Sequence, residues 1–248
     1  MRINWKIENS DIQKIKNVVS ENDNQFLKNR IERNVEKKNI SINKDKVIHS
    51  MIMCLLTSQQ RSGPNSQVGE FLNLKPFPIT AELIERTENK EKFIKQIFLK
   101  NGLTRFINKN SEYFSFNFEE LKKNDWEINK KLKFLNENQS KTNERELADY
   151  LKAKLKGFGP KQSRNFLQAL GLTKYEIPID SRIINWLNDF GFPVNLSSTL
   201  LSDNNYYHFV SDGIQELCEK ADIYPCVFDA VVFSSFDKDD WTAENIML

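Results

Sequence analysis

One stretch of the sequence, LKGFGPKQSRNFLQALG at residues 155–171, restricts the fold of this chain more than any other. Two glycines and a proline fall within four positions, so one helix must end there and another can begin at once. Apolar residues at helical spacing precede the break, namely Leu147, Tyr150, Leu151 and Leu155. One face of the second helix is then formed by Ser163, Phe166, Leu167 and Leu170. The pattern predicts two short helices joined by a tight turn, with Gly171 ending the second in left-handed geometry.

The turn itself, Gly157-Phe158-Gly159, is of a kind that binds anions. Glycines let the backbone approach a ligand closely, and the free N–H groups at the start of the second helix suit an anion. We expect Phe158 to point inward as a hydrophobic plug, with Lys156 beside the turn. The hairpin is therefore interpreted as a phosphate-binding device for a nucleic-acid backbone. The alternative is a purely structural helical hairpin.

A run of basic residues surrounds this turn. Between Tyr150 and Arg164 there is no acid, and the basic residues are Lys152, Lys154, Lys156, Lys161 and Arg164. Alone, such a run is more typical of a solvated helix face. Because it contains the glycine turn, it favours contact with DNA.

Lys161 is poorly placed for helix stability. It falls in the first turn of the second helix, where the helix macrodipole disfavours a positive charge. The same position favours loss of its proton, so that the amine could act as a nucleophile. The alternative is one more phosphate contact.

Asp180, in IPIDSRIINWLNDFG, is predicted to cap a helix that runs to Phe190, with Gly191 as its stop. A capping carboxylate is held rigidly, and rigidity also suits a catalytic carboxylate. The apolar approach EIPI would bury it partly and keep water away. Capping alone is the alternative interpretation.

The rest of the sequence predicts an all-α protein. Helical spacing recurs along the chain, and no period-two strand pattern does. Thr80 is predicted to cap one helix and Gly102 to end another. Asn143 with Glu146 three residues later resembles a capping box and predicts the start of the first hairpin helix.

Composition excludes several classes of protein. The 248 residues contain no apolar run of about 18 residues and no signal-peptide core, which predicts a cytoplasmic protein without a membrane span. Three cysteines and two histidines, in no ligand pattern, predict neither a disulfide framework nor a metal site. The net charge of +2 does not by itself indicate a nucleic-acid binder.

The hairpin followed by IPID resembles the helix-hairpin-helix and aspartate of the base-excision DNA glycosylase superfamily. Lys161 lies where the endonuclease III and 8-oxoguanine branches carry their Schiff-base lysine, and Asp180 follows at the matching distance. Branches that only cleave the glycosidic bond lack this lysine. The resemblance therefore implies a combined glycosylase and abasic-site lyase, with Lys161 as nucleophile and Asp180 as the stabilising carboxylate.

Two further segments are similar to this superfamily. LLTSQQ resembles the helix end whose residues fill the gap left by a flipped base, which assigns DNA contacts to Gln59, Gln60 and Arg61. FDAVVFSSFD resembles the helix that lines the base pocket of 8-oxoguanine DNA glycosylases. There Phe233 would stack on the base, and Asp229, in place of a glutamine, would accept hydrogen bonds from guanine N1–H and the exocyclic amine. A polar helix end and simple core packing are the alternatives.

The sequence also departs from parts of the superfamily. It lacks the four-cysteine iron–sulfur loop of typical endonuclease III, and its first fifty residues cannot hold the sheet-forming domain of the eukaryotic-type 8-oxoguanine enzyme. Arg182 stands where these branches often have histidine and could hold a phosphate, and Asn165 replaces a pocket cysteine. The resemblance is closest to the compact prokaryotic 8-oxoguanine DNA glycosylases.

The resemblance implies a monomer that binds damaged or abasic duplex DNA and needs no cofactor. It would swing the damaged base out of the helix and remove it, with 8-oxoguanine as the favoured substrate. DNA contacts are assigned to Lys156, Gly157, Gly159 and Arg182, besides the LLTSQQ region. Alternatives are a same-fold enzyme for oxidised pyrimidines, formamidopyrimidine or alkylated purines, and a DNA-binding module without chemistry.

The expected architecture is two helical lobes with the DNA and base cleft between them. Residues 51–177 would form one lobe, which ends with the hairpin. Residues 1–50 and 178–248 would form the other. Lys161 and Asp180 should then face each other across the cleft.

Overall fold

The structure is a computed structural model that describes residues 4–236 and 241–242. Within these residues the chain is helical and contains no strand, which confirms the predicted all-α class. The first helices are α1 (Asn9–Ser20), α2 (Gln25–Arg30) continued by a π-helical turn (Ile31–Val35), α3 (Lys44–Leu56), α4 (Gln67–Leu72), α5 (Ala81–Arg86), α6 (Lys90–Lys100) and α7 (Ile107–Lys123). They are followed by α8 (Glu127–Glu137), α9 (Lys141–Lys154), α10 (Pro160–Ala169), α11 (Ser181–Phe190), a 3₁₀ turn (Ser198–Ser202), α12 (Asn204–Ala221) and α13 (Pro225–Phe236).

Several helix starts follow local sequence signals, whereas α7 and α8 begin after Phe106 and Trp126, which have left-handed backbones and provide no side-chain cap. Thr80 caps α5 by accepting a hydrogen bond from the Leu83 N–H at 3.3 Å. The predicted start of α9 at Asn143 is wrong, because the helix begins at Lys141. Ser140 has an extended backbone there, and its hydroxyl accepts a hydrogen bond from the Asn143 N–H at 3.1 Å. Ser140 therefore provides the cap almost one turn earlier.

The buried apolar residues form two large cores. The first core extends from Val47 to Leu172 and contains the inward faces of α3 and of the α9–α10 hairpin. The second core joins Ile15 of α1 to apolar residues of α11, α12 and α13. A smaller cluster packs α2 against α13 through Phe26, Leu27, Ala230 and Val231. The N-terminal helices therefore pack on the C-terminal ones, and the exact lobe boundaries given above stay a prediction.

The segment that crosses from the first core to the second is held by one buried tyrosine. The Tyr207 hydroxyl of α12 accepts a hydrogen bond from the Ile179 N–H and donates one to the Ile177 carbonyl, both at 2.7 Å. Asp180 comes immediately after this anchored segment. The position of Asp180 relative to the hairpin is thus fixed from the second core. Among the described residues, no helix combines the length and apolar character that a membrane crossing requires.

Candidate active site

The hairpin has the predicted geometry. Gly157 has a left-handed backbone with φ +82°, and Pro160 occupies the first position of α10. Phe158 is buried and contacts Phe166 edge-on, with ring centroids 5.8 Å apart. No side chain caps α10 at Gly159, so its first amide N–H groups remain without a side-chain acceptor.

The two glycines of the turn play different roles. A Cβ at Gly157 would lie 2.6 Å from Cδ2 of Leu55 and 2.7 Å from Cδ2 of Tyr113, so packing excludes a side chain there. A Cβ at Gly159 would meet nothing within 4 Å. The space in front of Gly159 is therefore open to a ligand, at the positive end of α10.

Asn117, a buried residue of α7, fixes the start of the turn. Its side-chain amide donates to the Lys156 carbonyl at 2.9 Å and accepts from the Lys156 N–H at 2.7 Å. The sequence did not identify this residue, because its partner lies 39 positions away. Both backbone polar groups of Lys156 are satisfied by a single side chain, which joins the hairpin rigidly to α7.

Lys161, Asp180 and Arg182 form one group of ions, which we call the site cluster. The Lys161 ammonium lies 3.1 Å from Oδ2 of Asp180, as the predicted cleft requires. Arg182 binds the same oxygen through its NH2 group at 2.6 Å and its Nε at 3.1 Å. Asp180 also caps α11, since its Oδ1 accepts a hydrogen bond from the Arg182 N–H at 2.9 Å. Capping and ion pairing thus occur together at this carboxylate.

The charge state of Asp180 follows from its partners. Burial alone would raise the pKa of this carboxyl group. The Lys161 ammonium and the Arg182 guanidinium outweigh that effect and lower the pKa from 3.8 to about 2. Asp180 is therefore an anion across the neutral range and can stabilise positive charge on a substrate.

The site cluster opens on a cavity of about 380 Å³. Its wall brings together residues that the sequence assigned to the site from distant segments. These are Gln59, Gln60, Arg61, Lys161, Asn165, Asp180, Arg182, Asp229 and Phe233. Arg30, Gln168 and Phe26 also line it, and the sequence did not single them out.

The residues after α3 form one rim of this cavity. Gln59 has a left-handed backbone with φ 56°. The Gln60 side chain turns back and donates a hydrogen bond to the Leu56 carbonyl. Gln60 therefore completes the C-terminus of α3, and the roles of these residues in a DNA gap stay a prediction.

Phe233 contacts Phe26, Arg182 and Trp241, and the Trp241 ring centroid lies 5.9 Å from that of Phe233. Its ring stacks on Phe26 with centroids 4.7 Å apart and an interplanar angle of 19°. The guanidinium carbon of Arg182 lies over the ring at 4.4 Å from its centroid. A base that stacks on this face of Phe233 would therefore displace the Arg182 side chain.

Asp229 has a buried partner that limits its capacity as an acceptor. Its Oδ2 accepts hydrogen bonds from Arg30 at 2.7 Å and from Gln168 at 2.8 Å. Among the described residues, none donates to Oδ1. Asp229 was predicted to accept two hydrogen bonds from the base. In this arrangement Oδ1 is the oxygen that remains for them, because Oδ2 already accepts from Arg30 and Gln168. Arg30 lies 199 positions away in the sequence, so no local signal could have identified it.

A second group of ions lies behind the hairpin, and we call it the buried cluster. It consists of Arg145, Asp149, Arg164 and Glu176. Arg164 Nε and Arg145 Nε each donate to Glu176 at 2.8 Å, and Arg164 NH1 lies 3.1 Å from Asp149. Arg164 is fully buried, so it does not belong to the basic surface that the sequence run indicated.

No protein-family model matches the chain, and no curated protein matches it in sequence. Three solved structures resemble its fold. The 8-oxoguanine DNA glycosylase of Methanocaldococcus jannaschii has 14% sequence identity and a TM-score of 0.64, with 94% of this chain and 98% of that chain covered. The 8-oxoguanine DNA glycosylase of Thermotoga maritima has 14% identity and a TM-score of 0.63, with 93% and 98% covered.

The third structure is the Methanocaldococcus jannaschii 8-oxoguanine glycosylase/lyase in complex with a 15mer DNA containing 8-oxoguanine. It has 15% identity and a TM-score of 0.66, and the alignment covers 93% of this chain and 99% of that chain. At such identity the likeness concerns the fold. The resemblance identified from the hairpin is thus confirmed at this level: the chain has the helical fold of archaeal and bacterial 8-oxoguanine DNA glycosylases.

Proposed function

We propose that this protein is a DNA glycosylase with abasic-site lyase activity, and that it removes 8-oxoguanine from duplex DNA. The observation that carries the proposal is the Lys161 amine, 3.1 Å from Asp180 at a cavity lined by the predicted base-pocket residues. The fold supports it, since the solved structures that resemble this chain are 8-oxoguanine DNA glycosylases.

The hairpin would hold the DNA backbone. A phosphate can reach the uncapped start of α10 through the open space at Gly159. Exposed lysines near the turn add a charge-based contact that any sequence can make. The damaged nucleotide would then leave the stack and enter the cavity beside Lys161.

Base removal would begin when the Lys161 amine, free of its proton, attacks C1′ of the extruded nucleotide. The bond from C1′ to the base breaks, and the base leaves with the bonding electrons and takes up a proton. Asp180 remains ionised and stabilises the positive charge that develops on the sugar. The sugar ring opens, and an imine then links Lys161 to C1′.

Strand cleavage would follow from the same intermediate. The imine acidifies the proton on C2′, and its loss expels the 3′ phosphate by β-elimination. Water then hydrolyses the imine and releases the amine of Lys161. The strand is thereby nicked 3′ to the lesion, with no redox step.

Base recognition would use the wall opposite Lys161. Asp229 Oδ1 could accept a hydrogen bond from guanine N1–H or from its exocyclic amine, since Oδ2 is bound to Arg30 and Gln168. Phe233 supplies a stacking surface once Arg182 moves. Guanine-type bases present these two donors side by side, whereas thymine glycol presents only its N3–H on the corresponding edge, so a carboxylate acceptor at this place favours a base derived from guanine.

The test is a panel of duplexes that carry 8-oxoguanine, thymine glycol, formamidopyrimidine, 3-methyladenine or an abasic site. Base release and strand nicking are measured separately, with and without borohydride, which traps the imine. We expect 8-oxoguanine release, nicking and a trapped adduct. Trapping on the abasic site alone would keep the lyase and remove the base assignment. No release, nicking or adduct on any duplex would leave a DNA-binding protein.

A further inference from the structure

An exposed face of α7 carries aromatic rings that are each paired with a cation. The cation-to-centroid distances are 5.0, 5.4 and 4.1 Å for Arg105 with Phe106, Lys109 with Tyr113, and Lys156 with Phe116. We call these six residues the basic-aromatic face. Phe106 and Phe116 remain 45% and 38% exposed, so the cations do not hide the rings from solvent.

The spacing of these residues produces a continuous strip. Lys109, Tyr113 and Phe116 recur three or four positions apart within α7, which places them on one side of this helix, and Phe106 comes immediately before its first residue. At 1.5 Å per residue, the strip is about 15 Å long. One DNA strand advances about 3.4 Å per nucleotide, so the strip matches about four nucleotides.

The basic-aromatic face is continuous with the hairpin. Tyr113 packs directly against Gly157, where an added Cβ would lie 2.7 Å from its ring. Lys156 belongs to both surfaces, because its side chain covers Phe116 and its peptide is held by Asn117 of α7. The strip therefore has a fixed orientation relative to the open space at Gly159.

The charges and the backbone of this strip point to an anionic partner. Arg105, Lys109 and Lys156 bring three positive charges, and Glu112, which lies 3.6 Å from Lys156, is the single acid between Arg105 and Phe116. Phe106 has a left-handed backbone with φ 53°, which is uncommon for a bulky residue, and it displays its ring to solvent. Cations beside exposed rings also line the grooves that bind single-stranded nucleic acid, where the cations follow the backbone.

We propose that the basic-aromatic face is a second DNA-contact surface, which receives the backbone of the duplex on one side of the lesion. The cations would contact phosphates, and the rings would pack against sugars. The proposal rests on the proposed function, since the hairpin must first hold the same duplex. It adds a footprint of about four nucleotides that the hairpin alone would not require.

The test compares the double variant Arg105→Ala/Lys109→Ala with the charge-matched control Lys122→Ala/Lys123→Ala, at the far end of the same helix. Binding is measured on duplexes with an uncleavable abasic-site analogue, at 50 to 200 mM salt. A plot of the logarithm of the binding constant against the logarithm of the salt concentration should become less steep by about 1.8 when two phosphate contacts are lost. Over this range the wild type should therefore lose about tenfold more affinity than the double variant. The control should keep the wild-type slope.

Duplex length gives a second readout. Removing base pairs from the duplex on one side of the lesion should weaken binding by the wild type. The affinity of the double variant should not depend on the duplex length on that side. Glu112→Gln should act in the opposite direction and tighten binding, because it removes the acid beside Lys156. Thermal melting checks that all variants are folded.

Equal salt slopes and equal length responses for the wild type and the double variant would overturn this proposal while base release continues. An equal loss in the control would overturn it too, because position would then not matter. A wild type that binds no duplex and releases no base would overturn the proposed function itself.

Discussion

The site cluster and the buried cluster both include an acid from the segment that joins the hairpin to α11, Asp180 and Glu176 respectively, and they differ in access to solvent. Lys161 and Arg182 keep 38% and 36% of their side-chain surface exposed. Arg164 and Glu176 are both 0% exposed. Each cluster holds an acid between two cations, so residue type alone does not separate a reactive site from a scaffold.

The two clusters differ in whether a substrate can replace one of their ions as a partner. In the buried cluster Glu176 is enclosed between Arg164 and Arg145, and its removal would leave the fully buried Arg164 with Asp149 as its remaining acidic partner. In the site cluster the cations border a cavity of about 380 Å³, so a substrate can replace one ion as a partner. The catalytic role proposed for the site cluster depends on this access to solvent, which Arg164 and Glu176 lack.

The largest effect is expected for Lys161→Gln. It removes the only amine that the account places at C1′, so nicking of an abasic duplex should fall at least about a thousandfold. Thermal stability should change little, since the ion pair is partly exposed. Single-turnover nicking and borohydride trapping measure the loss.

Lys154→Gln is the matched control, because Lys154 is exposed and lies on α9, in the first helix of the hairpin. It should retain full nicking at saturating DNA. Equal activity in Lys161→Gln and the wild type would show that Lys161 is not the nucleophile.

Glu176→Gln should affect stability instead of chemistry. The change takes the carboxylate away from the fully buried Arg164, which keeps the partly exposed Asp149 as an acidic partner, and breaking a buried ion pair costs about 3–5 kcal/mol of unfolding free energy. Urea denaturation measures it. In the exposed pair with Lys131, Glu127→Gln should cost at most about 1 kcal/mol. Similar costs for the two variants would remove the distinction between buried and exposed clusters.

Asp180→Asn separates charge from capping. Asparagine caps a helix as well as aspartate does, so α11 should keep its N-terminus. The charge that stabilises the sugar is lost, and we expect base release to slow about a hundredfold or more. Single-turnover release of 8-oxoguanine measures this rate, and an unchanged rate would restrict Asp180 to capping.

Acid titration tests the ion pairing of Asp180 in the free protein. Its pKa is lowered from 3.8 to about 2, so its contribution to stability is complete above about pH 4 and lost as pH falls towards 2. The shift corresponds to about 2 kcal/mol at most. Unfolding free energies of wild type and Asp180→Asn should therefore converge between pH 5 and pH 2. A constant difference would contradict the pairing.

Substitution of the two hairpin glycines should have the smallest effects on stability and DNA binding. Gly157→Ala should cost about 1–2 kcal/mol or more, because it adds a side chain at φ +82° and against Leu55. Gly159→Ala should leave stability within about 0.5 kcal/mol and weaken DNA binding several-fold, because its Cβ enters open space that a phosphate would use. Denaturation and DNA titration of both variants check this division. Reversed effects would exclude an open phosphate site at Gly159.

The hairpin could be predicted from the sequence because its signals are local. Gly157, Pro160 and Gly171 each act through backbone geometry within a few residues, and Asp180 caps the helix that follows it. The error at the start of α9 is also local, since Ser140 and Asn143 compete to cap the same helix.

The contacts in the cavity wall around Asp229 could not be predicted from the sequence. Asp229 is bound by Arg30 from the other end of the chain, and nothing near either residue indicates the pair. Arg164 belongs to a run of surface lysines by sequence, yet its partner Glu176 draws it into the interior. Asn117 likewise acts on a peptide that is distant in sequence. A local sequence pattern does not show which polar groups pair with partners that are distant in the sequence.

The most direct test of the central claim is to find which amine joins the DNA. Borohydride would reduce the imine formed on an abasic duplex, and mass spectrometry of the digested adduct would locate the modified residue. We expect a single modification at Lys161, beside Asp180. A modification at Lys156, at the N-terminal amine or at several lysines would contradict it, since the site cluster would then not contain the nucleophile.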